Sequence, residues 1–283
     1  MQKYRVLYNP LSNNMAGERA VKAVKELLCG AEVECVSVID LDYKAFVTGL
    51  AEDEKLVICG GDGTLNRFAN ETKDINLPEE IFYYAAGTGN DFLRDINKTQ
   101  ADGLVEISRY LKGLPTVEVN GRESLFINGI GYGIDGYCCE VADKIKETSD
   151  KKINYTGIAI KGLLFHFKPV NATVTVDGKS YAYTKVWLAP TMKGRFYGGG
   201  MMPAPDQDRL DPEGRLSVMV YHGVGKLKAL MVFPKIFKGE HLKYKDMCCV
   251  HTGRDITVEF DRPTALQIDG ETVLGVKSCR MRA

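Results

Sequence analysis

The stretch Leu56-Val57-Ile58-Cys59-Gly60-Gly61-Asp62-Gly63-Thr64 decides the fold of the N-terminal part of the chain. It begins as a short uninterrupted apolar run, which is typical of a buried β-strand, and passes into a glycine-rich turn. Leu65, Phe68 and Ala69 then open a helix. Glycines let such a turn approach an anion closely, and the first amides of the helix can face phosphate oxygens. The stretch therefore predicts a strand, a ligand-binding turn and a helix in that order.

Two further turns repeat this arrangement. The apolar run Ile81–Ala86 enters Gly87-Thr88-Gly89-Asn90-Asp91, whose second and fourth residues offer a hydroxyl and an amide. The strand Tyr4–Tyr8 ends at Asn9-Pro10. Alternating apolar strands and helices predict an open parallel sheet covered on both faces, in which ligands bind at the carboxyl ends of the strands. Three turns at one edge favour a nucleotide site over three independent turns.

Asp62 places a carboxylate among the amide donors of the first turn. A carboxylate suits bare phosphate poorly, but it suits a site that also holds Mg²⁺ or an acceptor hydroxyl. The alternative is a tight turn whose aspartate only caps a helix. In the second turn, Asp91 is placed to cap the helix that begins at Phe92. The residues alone leave both interpretations of Asp62 open.

The character of the chain changes near Leu114–Thr116, after which short strands and turns dominate. The expected strands include Leu125–Asn128, Ala172–Val176, Tyr181–Ala189, Leu216–Tyr221, Ile256–Phe260 and Ala265–Ile268. Regularly spaced short strands predict an all-β, sandwich-like domain. We therefore expect an α/β nucleotide-binding domain over residues 1–118 and a β-rich substrate domain over residues 119–283.

Composition excludes several classes of function. The 283 residues carry 37 basic and 37 acidic side chains, and this balance lacks the basic footprint of a protein whose main partner is nucleic acid. The apolar stretches Gly157–Phe167 and Ala229–Phe237 are shorter than the about 20 residues that a membrane-spanning helix needs. The N-terminus lacks the apolar core of a secretory signal, so we expect the eight cysteines to be reduced in the cytoplasm.

Several common catalytic motifs are absent from the sequence: the P-loop, the protein-kinase catalytic loop, the nucleophile elbow and the zinc-protease helix. Gly131-x-Gly133-x-x-Gly136 does match the dinucleotide-binding pattern. However, the polar stretch Asp143–Asn154 stands where the next strand and its ribose-binding acid belong. A Rossmann-type cofactor site is therefore disfavoured there.

The two glycine turns, Gly60–Asn66 and Gly87–Phe92, resemble the signatures of the diacylglycerol kinase catalytic-domain family, and within it the small soluble bacterial lipid kinases. The resemblance continues in order through Asn128–Asp135, Gly198-Gly199-Gly200, Ala204-Pro205, Asp211–Leu216 and Leu266–Glu271. It implies an N-terminal domain like those of NAD kinases and phosphofructokinases, and a C-terminal β-sandwich for the lipid. It also implies ATP in the cleft between the domains and transfer of the γ-phosphate to a lipid hydroxyl. Diacylglycerol, giving phosphatidic acid, is the default acceptor.

The resemblance also assigns roles to single residues. The implied nucleotide contacts are Asn9, Pro10, Gly61, Asp62, Gly63, Thr64, Asn66, Gly87, Thr88, Gly89 and Asn90. The family's proposed general base corresponds to Glu271, and Asp62 would then hold Mg²⁺ or the acceptor hydroxyl. In related sphingosine kinases the aspartate of the first motif is the proposed base, so these two roles can be exchanged. A structural Mg²⁺ is implied near Leu210, Glu213 and Arg215, with Glu213 where members usually carry aspartate.

A lipid acceptor also requires a route to the membrane. Between Lys226 and Lys245, six lysines stand against one acid, and large apolar residues interleave with them. Such a segment can lie on an anionic bilayer, where each surface lysine contributes about 1 kcal/mol. The alternative is a core helix with solvated lysines. A second basic segment, Lys144–Lys168, is diluted by acids. We expect a cytoplasmic protein in peripheral contact with the inner face of the membrane.

Two other functions stay open at this point. One is a kinase of another acceptor, either another long-chain alcohol or NAD, and the other is a nucleotide-binding regulator without catalysis. Asp62, Thr64 and Glu271 argue against a regulator, and the β-rich second half argues against NAD. We expect no nucleic-acid partner. The sequence does not decide between a monomer and a homodimer.

Overall fold

The structure is a computed structural model that describes residues 1–10, 16–87, 89–148 and 153–283, apart from the side chains of Ala16 and Thr156. The chain divides into two compact units, Met1–Leu114 and Pro115–Ala283. This division falls four residues before the boundary expected at residue 118. The earlier position keeps the strand Thr116–Val119 whole within the second unit.

The first unit alternates strands and helices, as the sequence predicts. Its elements are β1 (Lys3–Tyr8), α1 (Ala16–Leu27), β2 (Glu32–Ser37), α2 (Tyr43–Thr48), β3 (Glu54–Gly60), α3 (Asp62–Glu71), β4 (Ile81–Ala85), α4 (Asp91–Asp95) and β5 (Val105–Glu106). Short 3₁₀ helices lie at Gln100–Asp102 and Ser108–Tyr110. The sheet order is β2-β1-β3-β4-β5, and the first four strands in this order run parallel. The edge strand β5 runs antiparallel to β4.

Burial on β3 explains why this strand anchors the unit. Its residues from Leu56 to Gly60 are all buried, as expected for a strand covered on both faces. Val57 packs with Val6 of β1 and with Ala20 and Val24 of α1 in one core cluster. Full burial of each large aliphatic side chain contributes about 1.5–3 kcal/mol, so this strand fixes the sheet and the position of the turn that follows it.

The second unit is rich in strands and also contains helices. Its elements are β6 (Thr116–Val119), β7 (Arg122–Leu125), β8 (Gly129–Tyr132), α5 (Ile134–Thr148), α6 (Tyr155–Lys161), β9 (Val170–Val176), β10 (Lys179–Val186), β11 (Thr191–Met192), β12 (Leu216–Tyr221), α7 (Lys226–Val232), β13 (Cys248–Gly253), β14 (Asp255–Ile268) and β15 (Glu271–Arg282). A π-helix, Gly162–His166, extends α6, and 3₁₀ helices at Phe233–Lys238 and Glu240–Lys243 follow α7.

Strand β14 organises this unit because it pairs with three others, β8, β9 and β15. The order along the sheet is β13-β12-β11-β8-β14-β15-β6-β7, and β10 joins through β9. Val174, Val218, Val258 and Leu266 lie fully buried in the core between these strands. The long hairpin of β14 and β15 thus rests on the main core of the unit.

Three details differ from the sequence-based expectation for this unit. It is not all strand, since α5, α6 and α7 belong to it. Residues 126–128, expected in a strand, lie between β7 and β8, where Asp269 binds the backbone amides of Ile127 and Asn128. The runs Ile256–Phe260 and Ala265–Ile268 form one strand, β14, with irregular pairing between them.

Candidate active site

The carboxyl ends of three parallel strands meet at one edge of the first sheet. Tyr8 at the end of β1 is level with Cys59 of β3, and Gly60 of β3 is level with Ala85 of β4. The peptide N–H of Ala86 donates to the Gly60 carbonyl oxygen at 2.8 Å. The turns that begin at residues 9, 61 and 86 therefore lie side by side, which is the arrangement the sequence predicted.

The two glycine turns contact each other directly. A Cβ added to Gly87 would lie 2.7 Å from the Cα of Gly61, and one added to Gly61 would lie 3.2 Å from the Cα of Gly87. A Cβ on Gly60 would lie 2.4 Å from the Thr64 hydroxyl oxygen. These glycines are required because backbone packs against backbone and against Thr64. Close approach to an anion, the reason proposed from the sequence, is not needed to explain them.

Asp62 links the two turns through its carboxylate. Oδ2 accepts the peptide N–H of Asp91, and Oδ1 accepts that of Phe92, both at 3.0 Å. These donors open α4, so Asp62 supplies the acceptors that the start of this short helix lacks. The expectation that Asp91 caps this helix is therefore wrong. The Asp91 carboxylate lies 3.4 Å from the Arg94 guanidinium instead.

Three features of the turns suit a ligand. Gly63 is exposed, and a Cβ there would meet no atom within 4 Å, although glycine weakens a helix relative to alanine. The Asn90 side-chain oxygen is buried and has no hydrogen-bond partner among the described residues. The first amides of α3, at Asp62 and Gly63, have no acceptor within the helix. Open space beside free donors fits phosphate oxygens.

The remaining predicted nucleotide residues flank this edge. Asn9, Pro10 and Asn66 are half-buried, and the Asn66 side-chain oxygen accepts the Asn70 amide at 3.2 Å. Gly89 is half-buried, and a Cβ there would lie 3.5 Å from Asp62 Oδ2, an ordinary contact. The predicted contact at residue 88 lies outside the described residues.

The second unit carries Glu271 at the start of β15, directly after a tight turn. Asp269 holds the turn by accepting the amides of Ile127, Asn128 and Gly129 at 2.5, 2.8 and 2.9 Å. The Glu271 side chain is exposed, with no hydrogen bond or ion pair to any described residue. A carboxylate without partners can accept a proton from a substrate.

Comparison with known families identifies the chain. Residues 3–117 match the family model described as Diacylglycerol kinase catalytic domain. Residues 128–281, more than half of the chain, match the model described as YegS C-terminal NAD kinase beta sandwich-like domain. The chain belongs to the diacylglycerol kinase family. The predicted fold class is thereby confirmed, and membership of this family makes the protein a phosphotransferase.

Individual relatives agree with this assignment. The kinase is 26% identical to the diacylglycerol kinase of Mycobacterium tuberculosis strain H37Rv over 273 residues, which cover 92% of this chain and 85% of the relative. It is 24% identical to the diacylglycerol kinase of Bacillus subtilis, covering 96% and 90% of the two chains. It shares the fold of a solved diacylglycerol kinase structure from Bacillus anthracis, with a TM-score of 0.64 at 16% identity and coverage of 99% and 93%.

The loop of Leu210, Glu213 and Arg215, where the family resemblance implies a structural Mg²⁺, has its acidic side chains in ion pairs with Arg215. The Asp211 carboxylate accepts the Arg215 guanidinium at 2.8 Å, and these hydrogen bonds lower the pKa of Asp211 to about 2. Glu213 is exposed and lies 3.5 Å from the same guanidinium. No group of three or more potential metal-ligating side chains is found in the described parts of the chain. The Arg215 side chain pairs with both acidic side chains of this loop, so neither of them stands without a cation.

A buried polar cluster in the second unit escaped the sequence analysis. Asp135 is 7% exposed, and burial raises its pKa to about 6, although nearby Tyr197 and Gln267 lower it. Neither carboxylate oxygen makes a hydrogen bond of regular geometry with a described residue. The sequence did contain a usable pattern, because Asp135, Cys139 and Asp143 recur every four residues and so share one helix face.

A second missed group surrounds Asn128. Arg209 is buried and donates to the Ile127 carbonyl at 2.6 Å and to the Asn128 side-chain oxygen at 2.7 Å. Lys193 is also buried, and burial together with the nearby Arg209 charge lowers its pKa. The sequence analysis did not pair Lys193 with Arg209, because 16 residues separate them along the chain.

Proposed function

We propose that this kinase transfers the γ-phosphate of ATP to the hydroxyl group of a membrane lipid, with diacylglycerol as the acceptor and phosphatidic acid as the product. The proposal that ATP binds here is supported by the two adjacent glycine turns at the carboxyl ends of β3 and β4. There, exposed Gly63 leaves space beside the unpaired amides that begin α3. An alanine would serve the helix better, so the open space is best explained by a bound group.

The chemistry requires positioning and charge neutralisation more than covalent catalysis. The lipid hydroxyl oxygen forms a bond to the γ-phosphorus, the bond to the β–γ bridging oxygen breaks, and ADP leaves. Glu271, exposed and without a side-chain partner among the described residues, takes the hydroxyl proton. Asp62 holds the two turns together through the amides of Asp91 and Phe92. When bound with ATP, Mg²⁺ supplies neutralisation of the phosphate charge.

The choice of a lipid acceptor is supported by an exposed apolar surface. The Lys226 ammonium donates to the Leu164 carbonyl oxygen at 2.9 Å, which places the start of α7 beside the π-helix. Phe165 is 72% exposed, Leu227 79% and Met231 59%. We call these three side chains the apolar patch. Large apolar residues that stay exposed next to one another usually mark an interaction surface.

Charge around the apolar patch favours an anionic bilayer as the partner. Lysines on these elements and on the segments that adjoin them in the chain are exposed, namely Lys161, Lys168, Lys226, Lys228 and Lys238. The opposite sides of these elements are buried, with Leu163, Ala229 and Val232 in one core cluster. The segment that begins at Lys226 thus has the buried face expected of a core helix with solvated lysines, and it also has the exposed lysines and apolar residues that a bilayer contact requires. No helix in the described parts of the chain is long and apolar enough to span a membrane.

A phosphate-transfer assay separates the candidate functions. The kinase is incubated with γ-labelled ATP, Mg²⁺ and either diacylglycerol mixed micelles or NAD. We expect label in the lipid fraction and none in NADP. Label in NADP alone would overturn the lipid acceptor, and ATP binding without transfer to any acceptor would indicate a regulator.

Vesicle binding tests the apolar patch separately. The variant Phe165→Ser/Leu227→Ser should bind phosphatidylglycerol-containing vesicles about tenfold or more weakly, because two exposed apolar anchors are lost. Leu274→Ser, which removes an exposed leucine of β15, is the matched control and should bind like the unmodified kinase. Equal binding by all three proteins would exclude the apolar patch as the membrane contact.

A further inference from the structure

Glu271 needs a fixed direction to act as a base, yet its side chain has no partner among the described residues. Its backbone is nevertheless held through both of its neighbours in the chain. Thr272 is bound by a side chain of α5, and Gly270 is bound by Gln267 of β14. Neither contact was part of any sequence-based expectation.

On one side, Thr272 is tied to α5 directly. Its hydroxyl donates to Asp143 Oδ2 at 2.6 Å. The other oxygen, Asp143 Oδ1, accepts the Lys146 ammonium at 2.8 Å. Burial raises the pKa of Asp143, but the hydrogen bonds from Lys146 and Thr272 outweigh it and lower the pKa. Asp143 is therefore a charged acceptor, and hydrogen bonds to charged groups are the stronger kind.

On the other side, Gly270 is bound by the buried side-chain amide of Gln267 in β14. Its peptide N–H donates to Gln267 Oε1 at 2.6 Å. The Gln267 amide lies beside Asp135, because a Cβ added to Gly131 would lie 1.5 Å from Asp135 Oδ2 and 2.6 Å from Gln267 Nε2. Gln267 is buried, so water cannot freely replace its hydrogen bond to Gly270.

Glycines bring α5 close enough for these contacts. A Cβ on Gly136 would lie 2.2 Å from the Ala265 carbonyl oxygen of β14. Gly131 leaves the space that Asp135 and Gln267 fill. The glycine pattern that resembles a dinucleotide fingerprint therefore serves the packing of a helix on a hairpin.

We propose that the Glu271 carboxylate is positioned through both of its neighbours, by Asp143 of α5 acting on Thr272 on one side and by Gln267 acting on Gly270 on the other. Asp143, Thr272 and Gln267 are positioning residues in this proposal. The inference rests on the proposed role of Glu271 as the base. An error of about 1 Å in the position of such a group can cost about 100-fold in rate.

The test compares Thr272→Val, which removes the hydroxyl at nearly constant shape, with Thr272→Ser, which keeps it. Thr257→Val, on the neighbouring strand of the same sheet, is the matched control. We expect Thr272→Val to lower kcat about 10- to 100-fold with unchanged KM for ATP. Thr272→Ser should restore most of the rate, and Thr257→Val should leave it unchanged. All proteins should melt within a few degrees of the unmodified kinase.

A double variant separates positioning from general stability. In a Glu271→Gln background, Thr272→Val should cause no further loss of kcat, because the group it positions is already inactive. An equal loss in both backgrounds, or no loss in either, would overturn the inference while leaving the function intact. If Glu271→Gln itself retains full activity, the role of Glu271 as the base fails, and this inference fails with it.

Discussion

The glycine turn of Asp62 and the hairpin of Glu271 both place an acidic residue beside glycine, but they use its carboxylate in opposite ways. Both oxygens of Asp62 accept backbone amides of the neighbouring turn. Glu271 is exposed and has no side-chain partner in the described chain. In the hairpin, Asp269 does the work that Asp62 does in the turn, since it accepts three amides. A carboxylate that accepts several backbone amides joins two segments of the chain, whereas one that accepts none can take a proton. The motif around the acidic residue does not distinguish these two roles.

The largest expected effect tests the free carboxylate. Glu271→Gln should lower kcat about 10²- to 10⁴-fold, because an amide cannot accept the hydroxyl proton. Its melting temperature and its affinity for ATP should not change, since the Glu271 side chain makes no hydrogen bond or ion pair in the part of the chain that the structure describes. Steady-state kinetics and thermal unfolding measure both, with Glu259→Gln on the exposed face of β14 as the matched control. A rate loss equal to that of the control would remove Glu271 from the mechanism.

The buried carboxyl beneath the hairpin gives a pH-dependent effect on stability. Burial raises the folded-state pKa of Asp135 from 3.8 to about 6. Below pH about 4 the carboxyl group is protonated in both the folded and the unfolded state and does not reduce stability. As the pH rises through about 6, the free energy of unfolding falls by up to about 3 kcal/mol, because the buried group then has to carry a charge. Asp135→Asn should be more stable than the unmodified kinase at pH 7.5, with the difference shrinking towards pH 4.5. Urea unfolding at several pH values measures it, and a difference independent of pH would contradict this account.

Because Asp62 joins the two glycine turns through its hydrogen bonds, we expect its replacement to lower the free energy of unfolding. Asp62→Asn keeps one acceptor oxygen but turns an amide group towards a peptide N–H, which should cost about 1–2 kcal/mol. ATP affinity should fall with it, because the two turns lose their common anchor. Chemical denaturation and ATP titration check these two expectations. Unchanged stability with abolished turnover would instead make Asp62 a catalytic group and exchange its role with that of Glu271.

The smallest expected effect on stability is that of Gly63→Ala. This variant distinguishes a glycine needed for packing from one that leaves room for a ligand. Gly63→Ala should be neutral or stabilising by about 0.5–1 kcal/mol, because its Cβ meets no atom and its backbone is helical. ATP affinity should nevertheless fall about tenfold or more as the methyl group fills the open space. Gly225→Ala, which also has open space around it, is the control and should bind ATP normally. Unchanged affinity in Gly63→Ala would move the phosphates away from this turn.

Particular elements show where sequence-based prediction succeeded. The apolar runs of β1, β3 and β4 and the helix after each glycine turn were predicted within a few residues, because periodicity and chain-breaking residues are local properties. Helix α5 was missed in a region taken as all strand. Its buried apolar residues Ile134, Cys138 and Ala142 do recur every four residues, but the buried Asp135 and Gly136 stand among them. Gly136 is unfavourable in a helix by propensity, and its place is set by close contact with the β14 backbone, which the sequence does not show.

The sequence by itself determined the order of strands and helices in the first unit, the edge where its turns gather, and the family. These follow from short-range patterns and from motifs that keep their spacing. Only the tertiary structure decided that Asp62 caps a helix 29 residues away, that Asp269 holds residues 127–129, and that Thr272 is bound to α5. A carboxylate's role depends on which amides, hydroxyls and charges surround it, and folding brings those groups together from distant parts of the chain.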